Sequence, residues 1–180
     1  MEHDHVFGKD PAAAAQLLRE DPNLLNSIPY TLAVVKEVLR LWPPTGLSPR
    51  EGNPNQTIAT PDGNFYPTYP FVVMINNFAI MHREELFKDA DRFYPERHLV
   101  TDPEDPYFVP RNSWRPFEKG VRTCLGQTLA LMQLKITIVL TIRSFDFELA
   151  YEDGRFMYQL LDLTAKPSEG LPTRVRMRTN

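Results

Sequence analysis

The segment RPFEKGVRTCLG, residues 115–126, contains Cys124, the only cysteine in the chain. Four other residues complete the pattern F-x-x-G-x-R-x-C-x-G around it: Phe117, Gly120, Arg122 and Gly126. Apolar residues recur at helical spacing from residue 125 onward, which predicts that a long helix starts close to the cysteine. A thiol at a helix N-terminus meets partial positive charge and unpaired backbone N–H groups, and both favour its thiolate form.

The residues around Cys124 are typical of a site for a planar, acidic ligand. Arg122 adds a full positive charge, and Phe117 supplies an apolar wall. Gly120 permits a turn with positive φ, and Gly126 leaves the backbone bare for a flat molecule. We expect a buried, hydrogen-bonded thiolate facing a planar ligand, with Arg122 pairing with a carboxylate of that ligand. Haem fits this description.

The alternative for Cys124 is a small buried apolar residue at a helix start, which is the commonest role of a free cysteine. The surroundings argue against it. Five fixed positions in ten have a chance expectation on the order of 10⁻⁵ in a chain of this composition. The pattern therefore favours a ligand role.

A second helix is predicted over residues 27–41, and the Trp42-Pro43-Pro44 segment would end it. Its apolar face repeats at helical spacing through Ile28, Leu32, Val35 and Leu39, and valines at 34 and 38 cover a third side. A helix that is apolar almost all round is usually buried. Glu37 and Arg40 form an i, i+3 pair, a type common on helix surfaces. On this helix we expect them in a packed interior instead.

Short elements are expected elsewhere. Asp10 and Pro11 are typical of a helix start, and this helix would end near residue 21. The remaining predictions are a helix over residues 125–143, strands at 70–75, 144–149 and 172–178, turns at 61–63 and at Asp153-Gly154, and one or two helical turns within 76–87. Residues 89–116 have no periodic pattern and are expected to form an extended meander. No domain boundary is evident.

Composition limits the function classes. The net charge of −3 argues against a nucleic-acid-binding protein. A single cysteine excludes an intramolecular disulfide and suits a reducing compartment. The sequence has no run of 18 apolar residues, so no membrane-spanning helix is expected, and its first twenty residues do not resemble a secretory leader.

Three more segments stand in order before the cysteine: EVLR at 37–40, AIMHRE at 79–84 and YPERH at 94–98. Together with FEKGVRTCLG they resemble the cytochrome P450 monooxygenases. The matching features are the E-x-x-R pair of the K helix, a segment often reading A-x-H-R-D, the proline-glutamate-arginine motif of the meander, and the haem-binding loop. Two positions depart from the usual pattern, because His98 stands where phenylalanine is most frequent and Phe87 where tryptophan is common.

The resemblance implies a role for each matching residue. Cys124 would be the axial thiolate ligand of the haem iron, Arg122 a partner of a haem propionate and Arg50 a second propionate contact. The implied cofactor-binding set is Arg50, Phe117, Gly120, Arg122, Cys124 and Gly126. Glu37, Arg40 and Arg97 would form a buried triad of ion pairs and hydrogen bonds that holds the haem loop in place.

The resemblance also implies the fold class: α+β, mostly α, with the K helix, meander, cysteine loop, L helix and small β-sheets of the C-terminal part of the cytochrome P450 fold. Residues 1–180 would form the C-terminal haem-binding part of one domain. The N-terminal part, including the central I helix with its acid/threonine pair, is expected to be absent. This 180-residue chain would then hold no catalytic residue of its own. We expect the chain alone to bind haem weakly, to fold poorly and to turn over no substrate.

The function implied is that of a haem-thiolate monooxygenase, which inserts oxygen from dioxygen into a small lipophilic substrate. Electrons would come from an NADPH-dependent cytochrome P450 reductase, and residues 45–48 and about 160–164 would line the substrate pocket. Lys119 and Arg115 form either a reductase contact or a solvated basic patch. Two alternatives stay open: a non-catalytic remnant, and a haem-thiolate isomerase or dehydratase that needs no reductase. A full-length eukaryotic parent would sit on the cytosolic face of the endoplasmic reticulum membrane through an N-terminal anchor, whereas this chain would be cytoplasmic.

Overall fold

The computed structural model describes residues 2–151, 158–161 and 164–178. The α-helices in this part of the chain are α1 (Glu2–Phe7), α2 (Ala14–Glu20), α3 (Pro29–Leu41), α4 (Asn77–Met81) and α5 (Gln127–Thr141). The strands are β1 (Leu47–Glu51), β2 (Thr57–Ala59), β3 (Phe65–Pro67), β4 (Val72–Asn76), β5 (Phe145–Leu149), β6 (Gln159–Leu161), β7 (Ala165–Pro167) and β8 (Thr173–Met177). The predicted mixture of helices and small sheets is confirmed. The predicted turn at Asp153-Gly154 lies outside the described residues, as do residues 162–163 of the predicted substrate segment.

Helix α3 is the centre of the fold, and its start is capped from outside the helix. The Glu2 carboxylate accepts hydrogen bonds from the backbone N–H groups of Tyr30 at 2.7 Å and Thr31 at 2.9 Å. Negative charge is favourable there because it meets the positive end of the helix dipole. The observed helix starts two residues later than predicted, at Pro29, where proline suits the first turn. Val38 is exposed, so the expectation that little of the helix would face water is wrong on that side.

Helix α5 packs against the N-terminal part of the chain through its second half only. Val139 is buried with Phe7, Leu25 and Ile28, and Ile136 lies at the edge of this cluster. Further toward the N-terminus, the same predicted apolar face is uncovered. There Leu129 is 54% exposed and Met132 is 39% exposed. The periodicity predicted the helix, which is observed, but in this chain it does not bury the whole face.

Within the described ranges the strands form four antiparallel two-stranded sheets, which pair β1 with β4, β2 with β3, β5 with β8 and β6 with β7. The strands predicted at 70–75, 144–149 and 172–178 correspond to β4, β5 and β8. Pairing of β1 with β4 brings Arg50 opposite Val73. Ala165 of β7 donates its backbone N–H to the carbonyl of Pro44 at 2.6 Å, which ties the β6–β7 hairpin to the segment after α3.

The meander contains one regular element, so the expectation of none over residues 89–116 is wrong. Pro95–Leu99 forms a 3₁₀ turn, with Pro95 at its first position where φ is already suitable. A second core cluster lies beside it and consists of Met81, Phe87 and Ala90. Phe87, which stands where tryptophan is common in the family pattern, is therefore a core residue.

None of the helices within the described ranges is both long enough and apolar enough to cross a membrane.

Candidate functional site

The cysteine loop is a tight turn held by its own backbone. The N–H of Cys124 donates to the carbonyl of Phe117 at 2.8 Å, and that of Thr123 donates to the carbonyl of Gly120 at 3.0 Å. Gly120 has φ +77°, as the sequence predicted, and this is a conformation that side chains with a Cβ rarely adopt. The loop therefore keeps its shape through glycine geometry and two short backbone hydrogen bonds.

The thiol of Cys124 is exposed, so the expectation of a buried thiolate is wrong for this chain. Val121 and Leu125 on either side of it are fully exposed. No described element packs over this face of the loop, and burial depends on such packing rather than on the loop itself. The cysteine is consequently open to a ligand from that side.

Helix α5 starts at Gln127, three residues after the cysteine and two later than predicted. The N–H of Gln127 donates to the Cys124 carbonyl at 3.3 Å, so the thiol lies just before the first turn of α5. Gly126 has φ −81°, which any residue can adopt. A Cβ at this position would lie 3.7 Å from the Cys124 sulfur. Gly126 thus keeps space open beside the thiol rather than serving a special backbone angle.

A cavity of about 350 Å³ brings most of the predicted cofactor residues together. Its lining includes Arg50, Phe117, Arg122 and Cys124, while Gly120 and Gly126 shape the loop without lining it. Leu39 and Pro44 add apolar surface. One thiol, two guanidinium groups, the carboxylate of Glu118 and apolar walls therefore surround one space.

The segment predicted to contact substrate lies beside this cavity. Thr45 and Ser48 line it. Gly46 and Leu47 line a neighbouring cavity of about 250 Å³, which they share with Gln159 and Ala165. The post-α3 segment and the β6–β7 hairpin are therefore adjacent in space.

Arg50 is held by two acceptors at the cavity. Its Nη1 donates to the carbonyl of Pro49 at 2.9 Å, and its Nη2 donates to Glu118 Oε2 at 3.2 Å. Sequence reasoning missed Glu118. The available signal was its position as a charged residue inside the glycine-rich loop, because an acid there needs a cationic partner if it is buried.

Glu118 is a buried carboxylate with φ +63°. Burial alone would raise its pKa, but hydrogen bonds from Ser48, Arg115 and Asn77, together with the charge of Arg115, lower the pKa to about 2. Arg115 is consequently an internal partner of Glu118 rather than half of the basic surface patch that the sequence suggested.

Lys119 lies instead with Lys36 close to the ring of Trp114. The Nζ atoms of Lys36 and Lys119 lie 5.9 Å and 5.7 Å from the centre of its indole ring. Burial and the nearby charge of Lys119 lower the pKa of Lys36.

Glu37, Arg40 and Arg97 lie together in one cluster, and their side chains are all 0% exposed. Arg40 donates to Glu37 from Nε and Nη2, both at 2.9 Å, and Arg97 donates from Nε at 3.1 Å. Arg40 also donates to the carbonyl of Met81 at 2.7 Å, which links α3 to the second core cluster. The predicted interior position of the α3 pair is therefore observed.

His98 is a fourth member of this cluster that sequence reasoning did not assign. Its Nε2 lies 3.0 Å from Glu37 Oε2. Burial alone would raise the pKa of Glu37, but hydrogen bonds from His98, Arg40 and the Tyr94 backbone, together with the Arg40 charge, lower the pKa to about 2. The carboxylate is ionised at neutral pH.

Trp114 connects this cluster to the cysteine loop. The His98 ring meets the Trp114 ring edge-on at 6.4 Å, and the Phe117 ring packs on Trp114 at 5.9 Å. Trp114 Nε1 donates to the Lys36 carbonyl at 2.9 Å, which fixes the indole against α3. The cysteine loop therefore rests on the charged cluster through two aromatic contacts.

Comparison with known proteins identifies the family. The cytochrome P450 family model matches residues 14–171. The chain is 37% identical over 194 residues to the cytochrome P450 monooxygenase polC of Polytolypa hystricis, covering 99% of this chain and 34% of polC. It is 33% identical over 187 residues to the cytochrome P450 monooxygenase PC-23 of Penicillium crustosum, covering 98% of this chain and 90% of PC-23. The solved structure of retinoic acid-bound cyanobacterial CYP120A1 matches with a TM-score of 0.69 at 26% identity, covering 86% of this chain and 34% of that chain.

The chain thus spans about a third of the length of polC and of the solved structure. The family model covers most of the chain, and the mixture of helices and small sheets agrees with part of a P450 fold. The chain therefore belongs to the cytochrome P450 family.

Proposed function

We propose that this chain forms the thiolate-bearing side of the haem site of a cytochrome P450 monooxygenase. Membership of the family implies haem as the cofactor in general. The observation that supports a site in this chain is the single cavity lined by Cys124, Arg50 and Arg122. The donor set fits haem, because a thiolate suits the iron and two guanidinium groups suit the two propionate carboxylates.

Each residue of the site has a task that follows from its position. Cys124 presents the sulfur ligand from a turn fixed by the Phe117 carbonyl. Arg122 and Arg50 would bind the propionates, and Phe117 and Leu39 would contact the apolar ring, because all four residues line the cavity. Bound haem would supply the oxygen chemistry, and Cys124 would hold it and tune it through its sulfur.

Glu37, Arg40 and Arg97 act as a structural unit in this proposal. Their buried cluster supports the cysteine loop through His98, Trp114 and Phe117. None of the three charged side chains of the cluster lines the cavity that contains Cys124. Their loss would therefore disturb the loop rather than remove a group that touches haem.

The other face of the haem would be covered by polypeptide outside these 180 residues, so that the chain serves as the C-terminal haem-binding part of a larger unit. The uncovered apolar surface of α5, at Leu129 and Met132, and of the cysteine loop, at Leu125, supports this assignment. A complete unit of that kind would take a small lipophilic substrate and electrons from an NADPH-dependent reductase. In a full-length eukaryotic protein, it would lie on the cytosolic face of the endoplasmic reticulum membrane.

Carbon monoxide binding to the reduced haem-loaded chain tests the proposal. We expect a red-shifted band typical of thiolate ligation, however small the bound fraction, and we expect Cys124→Ser to abolish it. Thr57→Ser, on the exposed strand β2, is the matched control and should leave the band unchanged. Since the chain has one cysteine, a thiolate band that survives in Cys124→Ser would contradict the proposal, and so would its absence from the haem-loaded wild type.

Dependence on electron supply separates monooxygenase from isomerase or dehydratase chemistry. In a complete unit containing this chain, product formation is expected only with NADPH and a reductase. Turnover driven by a peroxide substrate alone, with no reductase present, would favour the isomerase or dehydratase alternative.

A further inference from the structure

Glu118 is the one acid within the loop pattern F-x-x-G-x-R-x-C-x-G, at a position that the pattern leaves open. Glu118 is only 8% exposed, and its backbone adopts a left-handed φ of +63°. Both features are unfavourable for an ionised non-glycine residue unless its surroundings compensate. The position therefore suggests a specific task for the carboxylate.

The compensation comes from three separate parts of the fold. Glu118 Oε2 accepts from Arg50 of β1 at 3.2 Å and from Asn77 of α4 at 3.4 Å. Glu118 Oε1 accepts from Arg115 in the same loop, and Arg115 Nε in turn donates to Asn77 Oδ1 at 3.0 Å. The carboxylate thus joins strand β1 and helix α4 to the cysteine loop.

Arg50 is the charged partner of Glu118 that lines the cavity, alongside Asn77 and Glu118 itself. With Nη2 on Glu118 and Nη1 on the Pro49 carbonyl, two anchors fix the plane of its guanidinium group. A guanidinium group has about five N–H donors, so Arg50 keeps donors for a further acceptor. A side chain fixed before binding loses less conformational freedom when a ligand arrives.

The charges near the cavity also match a dicarboxylate. Arg50 and Arg122 line it, and Arg115 lies behind Glu118. Three guanidinium charges and one carboxylate charge leave an excess of two positive charges. The two propionates of haem carry two negative charges, so Glu118 does not make the site repel them.

We propose that Glu118 is a positioning residue that orients Arg50 toward a carboxylate of bound haem. This inference rests on the proposed function, because it needs haem in the cavity beside Cys124. In this proposal Glu118 would act through Arg50 and would not itself be a ligand of the haem. Two other possibilities are that it only stabilises the loop, or that its charge opposes the propionates.

The test is a double-mutant cycle on haem affinity in the full chain, with Glu118→Gln, Arg50→Gln and the double variant. Glu118→Gln should raise the dissociation constant for haem about tenfold, the size expected for one charge-assisted contact. If Glu118 acts through Arg50, the double variant should bind haem no more weakly than Arg50→Gln alone. Glu51→Gln, which removes an exposed acid at the end of β1, is the charge-matched control and should change little.

Haem dimethyl ester, whose propionates cannot ionise, provides the readout that a purely structural role would not move. The effect of Glu118→Gln should disappear with this ester. An equal loss with haem and ester, tighter haem binding by Glu118→Gln, or independent effects of the two substitutions would each overturn the inference. Arg115→Lys, which keeps the charge but loosens the hold on Glu118, should give a smaller loss of the same kind. It provides the test if Glu118→Gln folds poorly.

Loss of the haem site and loss of the Glu118 role would give different results. If haem-loaded wild type gives no thiolate band with carbon monoxide, the proposed function is wrong. If the band is present and the cycle shows no coupling between Glu118 and Arg50, only the role of Glu118 is wrong.

Discussion

Replacing Glu37 by glutamine probes the buried cluster most severely. The substitution keeps the shape of the side chain but removes the only negative charge that the described residues place in contact with Arg40 and Arg97, both fully buried. It also places an amide NH₂ where a carboxylate oxygen now accepts hydrogen bonds, from Arg40 and His98 on one oxygen and from Arg97 and the Tyr94 backbone on the other.

The expected loss follows from this geometry. Removing one partner from a buried charge cluster costs about 3–5 kcal/mol, because the remaining charges stay buried and uncompensated. Stabilities of single domains are about 5–15 kcal/mol, so the loss is a large share. With a urea dependence of about 2 kcal/mol per molar, the unfolding midpoint should fall by about 2 M.

Urea unfolding followed by circular dichroism measures this loss. Glu85→Gln is the matched control, since Glu85 pairs with Arg83 on the surface and both side chains are exposed. Its free energy of unfolding should fall by no more than about 0.5 kcal/mol. If Glu37→Gln lowers the midpoint no more than Glu85→Gln does, the buried cluster does not stabilise the fold as argued.

The pH dependence of stability in wild type and Glu37→Gln gives an independent check. The pKa of Glu37 falls from 4.5 to about 2 in the fold, because the hydrogen bonds and the Arg40 charge outweigh the effect of burial. Its stabilisation is therefore complete above about pH 4.5 and is lost as the pH falls toward 2. The stability difference between wild type and Glu37→Gln should shrink over that range.

Three further outcomes follow. Burial lowers the pKa of His98 in the folded chain below 6.5, so as the pH falls the unfolded chain takes up a proton on His98 before the folded chain does. The free energy of unfolding should therefore decrease below about pH 6.5, and it should decrease less in His98→Phe. Urea unfolding at a series of pH values measures this. Met81→Ala, in the second core cluster, should lower the free energy of unfolding by about 2–5 kcal/mol, whereas Met74→Ala, at an exposed position, should lower it much less. Equal losses would contradict the core assignment. Gly120→Ala should lower the free energy of unfolding by about 1 kcal/mol or more, because an alanine is strained at the φ of +77° found there. An unchanged thermal unfolding temperature would contradict this.

Local patterns in the sequence predicted the elements whose causes are local. The Trp42-Pro43 segment ends α3, and the positive φ of Gly120 follows from the lack of a Cβ. The interior position of Glu37 and Arg40 could be predicted as well, because it follows from the apolar residues that surround them on one helix.

Exposure of the cysteine and of half of α5 could not be predicted in this way. A stripe such as Leu129 and Met132 indicates a face able to be buried, but another element must cover it. The contacts of Glu118 and His98 were missed for a related reason. Their partners lie 68 and 61 residues away in the chain, at Arg50 and Glu37, and only the fold brings them together.

The central claim is that the single thiol of this chain is a haem ligand. Cys124 is exposed, so iodoacetamide should alkylate it readily in the haem-free chain, and mass spectrometry reports the extent without ambiguity because no second thiol exists. Bound haem should slow this alkylation by at least about tenfold, since a coordinated sulfur is unavailable as a nucleophile. Alkylation at the same rate in the haem-free and haem-saturated chain would contradict the claim.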